Sequence, residues 1–321
     1  MKLGLYFDLR NPPPWERPWS EVYGRALDLI VDAETLGIDS VWFSEHHQFS
    51  DGYLPQPLTM AAAAAARTSR VRIGTAILLA ALRPAMLVAE EAAVVDQLSG
   101  GRLELGIGAG YVAAEYAAYA TDIERRYSLT DAAVAEIRRL LDEGVVTPPA
   151  HQRPFPLWLG YQGPKGARRA GKLGVGLLSL DRSLLDPYRE GLVEGGHDPA
   201  CARTGGMLDI IVADDPEAAF ERILPHYAHQ LNSYRAATVA GTDRPAPKEI
   251  TVERLRGGVT AAGQIPGLRV LSAADAVEAI RVATVDAPVE HVYLWASVAG
   301  MPDDLVERHV HLLCTEVRPQ F

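Results

Sequence analysis

The sequence predicts an eight-stranded β/α barrel. Short apolar runs with two-residue alternation recur eight times along the chain, and helical stretches separate them. Histidines, glycines and small residues follow several of these runs, at the carboxyl ends where such folds build their sites. The 321 residues, 48% hydrophobic and 22% charged, suffice for a large core. An open doubly wound sheet is the competing architecture. It is disfavoured because the glycine-rich stretch follows the fourth strand rather than the first, with a different spacing from the dinucleotide fingerprint.

In chain order, Lys2 to Leu9 reads as the first strand, followed by a proline-rich loop with Trp15 and Trp19. Ser20 is a reasonable N-cap for a helix through Glu34, which ends at Gly37. Ser40 to Glu45 is the second strand, and a helix from Pro57 to Thr68 carries six consecutive alanines suited to close packing. Val71 to Ala80 is the third strand, and Pro84 opens a helix to Leu98. Leu103, Leu105 and Ile107 then alternate with Glu104 and Gly106 in the fourth strand. Tyr111 to Tyr127 reads as an irregular segment on the active face, before a helix from Leu129 to Leu141 capped by Ser128 or Thr130.

The fifth strand is Leu157 to Tyr161, with a helix from Gly163 to Leu173. Gly174 to Leu180 is the sixth strand and Leu184 to Glu194 a helix. Met207 to Ala213 is the seventh, followed by a long helix from Pro216 to Tyr234. From Arg235 to Val270 no strong period remains. A loop of that length in one barrel domain of residues 1–321 is expected to be functional, and a lid over the barrel mouth is the reading. A surface insertion with a helix around Val252 to Leu255 is the alternative. Ser272 caps a helix to Ala283, His291 to Ala296 is the eighth strand, and Pro302 to Glu316 the last helix.

The net charge of −10 argues against nucleic acid as a partner. No run is long and apolar enough to span a membrane. Two distant cysteines, and a start that enters a strand with no secretory leader pattern, point to the cytoplasm. The chemical candidates come from strand ends. Glu45-His46-His47 ends the second strand. Consecutive residues cannot converge on one metal ion, so a proton-transferring histidine is favoured over zinc. Gly106, Gly108 and Gly110 remove side chains where a ligand would approach the backbone. The small residues in Ile73-Gly74-Thr75-Ala76-Ile77 leave room for a flat ring. Gly160-Tyr161-Gln162-Gly163-Pro164-Lys165-Gly166 opens a helix whose N-terminus suits a phosphate, with Lys165 adding charge.

Val41 to His47, Arg72 to Leu78 and Asp96 to Gly110, in that order and spacing, resemble the bacterial luciferase-like monooxygenase family. The Leu98-Ser99-Gly100-Gly101-Arg102-Leu103-Glu104-Leu105-Gly106-Ile107-Gly108-Ala109-Gly110 run is the most specific part. The resemblance implies an eight-fold barrel binding reduced FMN or, in some branches, the deazaflavin coenzyme. It implies that His46 is the catalytic histidine with His47 beside it, and that Ala76 and Ile77 lie against the flavin ring, where many members carry a non-proline cis peptide. Gly108, Ala109 and Gly110 would then lie near the ribityl-phosphate tail, and Gln162, Gly163 and Lys165 near the phosphate. Luciferase has an arginine where this chain has Ala109, so charge for the phosphate would come from Lys165 or Arg125. The segment around Gly144 to Pro154 is shorter than usual, which bears on the substrate pocket. The function so implied is oxidation of a small organic substrate by oxygen, with reduced FMN delivered by a separate NAD(P)H-flavin reductase, in a homodimer. Hydride transfer with the deazaflavin coenzyme and a non-catalytic flavin-binding role are the alternatives.

Overall fold

The computed structural model describes residues 1–256 and 267–321. Eight parallel strands close a barrel: β1 (Lys2–Phe7), β2 (Ser40–Phe43), β3 (Arg72–Thr75), β4 (Leu103–Ile107), β5 (Leu157–Leu159), β6 (Gly176–Leu178), β7 (Thr204–Leu208) and, past β8 (Ile210–Val212) and β9 (Arg269–Leu271), β10 (Val289–Trp295). The order around the ring is β1-β10-β7-β6-β5-β4-β3-β2. The helices are α1 (Trp19–Leu36), α2 (Pro57–Arg67), α3 (Ala85–Ser99), α4 (Ala113–Ala118), α5 (Arg126–Asp142), α6 (Gly163–Lys172), α7 (Leu185–Glu194), α8 (Pro216–Ala237), α9 (Val252–Arg256), α10 (Ala273–Thr284) and α11 (Asp303–Leu312).

The alternation in β4 sorts two cores. Leu103, Leu105 and Ile107 join the apolar layer between strands and helices, together with the alanines of α2. The barrel interior is filled instead by aromatic side chains, among them Tyr6, Trp42, Trp158 and Tyr293. Glycines on neighbouring strands make the room. A Cβ on Gly74 would stand 2.2 Å from the Trp42 indole, and one on Gly176 2.2 Å from that of Trp158. Glu104 points into this interior, where it accepts hydrogen bonds from Trp158 Nε1 at 2.7 Å and from Arg72 Nε.

Several boundaries differ from expectation. Helix α1 begins at Trp19, because the Pro18 carbonyl already accepts the Glu21 amide at 2.9 Å; Ser20 lies within the first turn and caps nothing. Helix α5 starts at Arg126, and the hydroxyls of Ser128 and Thr130 donate back to the Arg125 and Arg126 carbonyls rather than capping the helix. The expected seventh strand, Met207 to Ala213, is two strands. Only β7 belongs to the barrel, while β8 pairs with β9 outside it. The break falls at Asp209, whose carboxylate accepts Trp295 Nε1 at 2.8 Å, and β8 is held from behind by His309, which accepts the Val212 amide at 2.8 Å. Both pieces are apolar, so periodicity reads them as one.

The described residues between 235 and 270 hold more regular structure than expected. Arg235 to Ala237 extend α8, Val252 to Arg256 form α9, and Arg269 and Val270 lie in β9. Asn232 on α8 exchanges two hydrogen bonds with the backbone of Ile250, at 2.9 and 2.8 Å, and the Ala240 carbonyl accepts the Ala114 amide at 3.2 Å. This segment therefore ties α8 to α4. Gly257, Gly258 and Gly263 lie outside the described residues.

Candidate active site

A cavity of about 350 Å³ opens at the carboxyl face of the barrel, a volume within the usual range for small-molecule sites. One arc of its wall comes from the ends of β3, β4 and β5 and carries Ala76, Ile77, Ala109, Gly110, Gly160 and Gln162. The Ala76–Ile77 peptide bond is cis. The other arc carries Tyr6 at the end of β1, Ser44 and His46 after β2, Tyr53 in the following loop and Tyr234 on α8.

His46 is held by its Nδ1. That atom lies 2.8 Å from Oε1 of Glu115, whose side chain is wholly buried, and the same oxygen accepts the His47 amide at 2.7 Å. The carboxylate oxygen favours the tautomer with the proton on Nδ1, which leaves Nε2 as the acceptor of a ring that lines the cavity. Aromatic rings fix the imidazole from the sides: Tyr53 and Tyr111 meet it edge-on at 4.7 and 5.4 Å between centroids, and Phe49 lies at 4.5 Å. His47 takes a different part. Its Nε2 is 2.7 Å from Glu45 Oε1 and its Nδ1 3.2 Å from the Tyr119 hydroxyl, so it is tied behind the cavity wall. Glu45 is also bound by Arg83 and by the Leu79 amide at 2.9 Å, which spends both carboxylate oxygens on the protein.

The glycines act more indirectly than the sequence suggests. A Cβ on Gly108 would come within 2.6 Å of Ile77 Cδ1, and one on Gly106 within 2.0 Å of the Thr75 carbonyl oxygen. Both make room for the β3 segment that faces the cavity, and neither lines the cavity itself. Gly110, at φ +64°, turns the chain away beside Leu79. Ala109 lines the cavity and its carbonyl is held by the Tyr116 hydroxyl.

At the rim, α6 begins with Gln162 at its N-cap position and no side chain capping its first amides. Gly163 sits at φ +75°, and among the described residues beyond its own turn nothing comes within 4 Å of where a Cβ would stand. Lys165 is exposed in that first turn and does not line the cavity. Arg125 is likewise exposed. Free amides with a nearby ammonium fit a phosphate group. The small side chains of Ala76, Ala109, Gly110 and Gly160 fit a flat ring system, since larger ones would fill that space.

Sequence reasoning singled out neither Glu115 nor the tyrosines of the second arc. Glu115 was legible only as an acidic residue in an alanine- and tyrosine-rich segment; its 69-residue separation from His46 hides the pairing. Among the described residues, no group of three or more His, Cys, Asp or Glu side chains is arranged to hold a metal ion. No helix in that set is long and apolar enough to cross a membrane.

A family model described as luciferase-like monooxygenase matches residues 1–288. An F420-dependent glucose-6-phosphate dehydrogenase of Kineococcus radiotolerans is 32% identical over 226 residues, covering 62% of this chain and 67% of that protein. Among solved structures, the monooxygenase RslO1 from Streptomyces bottropensis superposes with a TM-score of 0.81 at 22% identity, covering 100% of this chain and 99% of that one. The oxygenating constituent of 3,6-diketocamphane monooxygenase from Pseudomonas putida, in complex with FMN, gives 0.71 at 20% identity, covering 100% and 98%. At these identities the structural likeness speaks for the fold.

Proposed function

The chain belongs to the luciferase-like monooxygenase family, whose members are flavin- or F420-dependent oxidoreductases, and from that premise we propose that it oxidises a small organic substrate with reduced FMN and oxygen. The observation that carries this reading is the make-up of the cavity: a wall of small residues and, lining the same space, a histidine whose Nδ1 is held by a buried carboxylate. Reduced FMN supplies the electrons and the oxygen-activating centre when bound. Ala76, Ile77, Ala109 and Gly110 would bear on its ring and tail, and Gln162, Gly163 and Lys165 would hold its phosphate. His46 would accept or return a proton through Nε2, with Glu115 keeping the imidazole oriented and balancing charge at Nδ1. His47 would hold the wall through Glu45. The phenol-lined arc would keep bulk water from the reacting centre. A separate NAD(P)H-flavin reductase would deliver the reduced flavin.

A second reading is hydride transfer with F420, favoured by the 32% identity to an F420-dependent dehydrogenase. The two are separated by titrating FMN and F420 into the protein under reducing conditions and following melting. Ligand at about 100 times Kd stabilises by about 2.7 kcal/mol. With an unfolding entropy of about 0.7 kcal/mol/K for 321 residues, that is a rise of about 4 °C. A rise with F420 alone selects the second reading, and no rise with either refutes both.

A further inference from the structure

The second arc of the cavity has a chemistry of its own. Six tyrosines line the cavity: Tyr6, Tyr53, Tyr111, Tyr127, Tyr161 and Tyr234. Three of them form a chain of hydroxyls, Tyr6 to Tyr53 at 3.3 Å and Tyr53 to Tyr234 at 3.2 Å. Three phenols carry three donors, and two links between them consume two. The chain can therefore turn one hydroxyl group outward to meet a ligand oxygen. Burial raises the phenols of Tyr6, Tyr53 and Tyr234 above their usual range, so they remain neutral donors at any working pH.

Positive charge is withheld from this arc. No lysine or arginine lines the cavity among the described residues. Residues 257–266, outside that set, contain no charged residue either. Two guanidinium groups sit behind the wall without lining the cavity: Arg10, 4.4 and 4.5 Å from the ring centroids of Tyr53 and Tyr234, and Arg126, 4.6 Å from that of Tyr127. Arg10 is committed to carboxylates. Its Nε is 2.8 Å from Asp8, and its Nη1 is 2.6 Å from Asp51. Arg83 is spent on Glu45 in the same way. A phosphorylated substrate would lose its water here and meet no cation in exchange. An alkyl chain would cover phenol hydroxyls and leave them without a partner, the arrangement by which a polar pocket rejects an apolar ligand. An aromatic ring bearing an oxygen avoids both penalties: it carries no net charge, its oxygen meets a phenol hydroxyl, and its ring adds to the cluster that Tyr53, Tyr111 and Tyr234 already form edge-to-face with His46.

Resting on the flavin-binding reading above, we propose that this arc takes an uncharged planar aromatic substrate bearing a hydroxyl or carbonyl oxygen, a phenol or an aryl ketone. Sugar phosphates and alkyl aldehydes are excluded by the same surface. The specificity-determining groups are the hydroxyls of Tyr53 and Tyr234, with Tyr111 at the rim.

The test uses the full chain saturated with whichever oxidised flavin raises its melting temperature, so that no turnover occurs. 2-Naphthol, naphthalene, decanal and glucose 6-phosphate are titrated calorimetrically. 2-Naphthol should bind at least about tenfold more tightly than each of the others, the scale of one satisfied hydrogen bond or one desolvated charge. Tyr234→Phe and Tyr53→Phe should each weaken 2-naphthol by about tenfold and leave naphthalene within about twofold. Tyr111→Phe, on a half-exposed ring, gives the same comparison if either buried variant misfolds. Absence of 2-naphthol binding, tighter binding of decanal or glucose 6-phosphate, or unchanged 2-naphthol affinity in the phenylalanine variants that fold would overturn the assignment while leaving the cofactor reading intact. Failure of every flavin to stabilise the protein, measured before any probe is added, overturns the cofactor reading and this inference with it.

Discussion

Replacing Glu115 separates the support of the candidate site from its chemistry. Oε1 of this fully buried carboxylate receives His46 Nδ1 at 2.8 Å and the His47 amide at 2.7 Å, while Oε2 is buried with no hydrogen-bond partner among the described residues. Glu115→Ala leaves two buried donors unmatched, at about 1–3 kcal/mol each. It also removes one unmatched acceptor, which offsets a comparable single share. The net destabilisation is about 1–3 kcal/mol, or about 2–4 °C in melting temperature for a 321-residue chain. Glu115→Gln restores both hydrogen bonds through its amide oxygen and should melt within about 1 °C of the parent. Charge is what the glutamine does not restore. An imidazolium formed at His46 would lose its counter-charge, so turnover should remain about ten- to hundredfold low in both variants, part of a general acid–base effect of roughly 10²–10⁴. Melting and steady-state turnover of the flavin-loaded protein measure the two effects separately. Turnover within twofold of the parent in Glu115→Gln would show that the carboxylate is only a structural acceptor, and the assigned role of Glu115 would be wrong.

Three further outcomes follow from the same geometry. His46→Ala should lower turnover by about a hundredfold or more without loss of flavin-induced stabilisation, whereas His47→Ala should destabilise the wall around Glu45; normal turnover in the first variant would refute the proton-transfer role. Burial pushes the fully enclosed His309 down to about 4, so between about pH 6.5 and 4 the unfolded chain holds a proton that the native one does not, and stability falls as pH drops. Glu104 adds a second acid limb: burial alone would raise it, but His291, Arg72 and Trp158 hold it at about 2, so its contribution is present above about pH 4.5 and disappears as pH falls toward 2. A urea midpoint that stays flat from pH 6.5 to 4 would contradict the first limb. Finally, Asn232→Ala removes both hydrogen bonds to Ile250, about 0.5–1.5 kcal/mol each. Amide exchange should accelerate in residues 238–256 and stay unchanged in β1 to β4; uniform acceleration would mean that the segment is part of the barrel's own cooperative unit.

Local pattern determined a great deal of this protein. The eight barrel strands, the Gly37 helix stop and the position of His46 at a strand's carboxyl end are all carried by neighbours in sequence, because side-chain alternation, turn conformation and capping act over a few residues. The same locality explains the misreadings. Ser20 looks like a cap until the Pro18 carbonyl is seen to start the helix, and Met207 to Ala213 looks like one strand because its two pieces share an apolar pattern. What only the tertiary structure decided is pairing across distance. His46 with Glu115, His47 with Tyr119, Gly108 with Ile77, and the hydroxyl chain through Tyr6, Tyr53 and Tyr234 join residues from different βα units. These partners meet because closing the barrel brings the carboxyl ends of all its strands to one face, and no short-range signal in the chain encodes which of them touch.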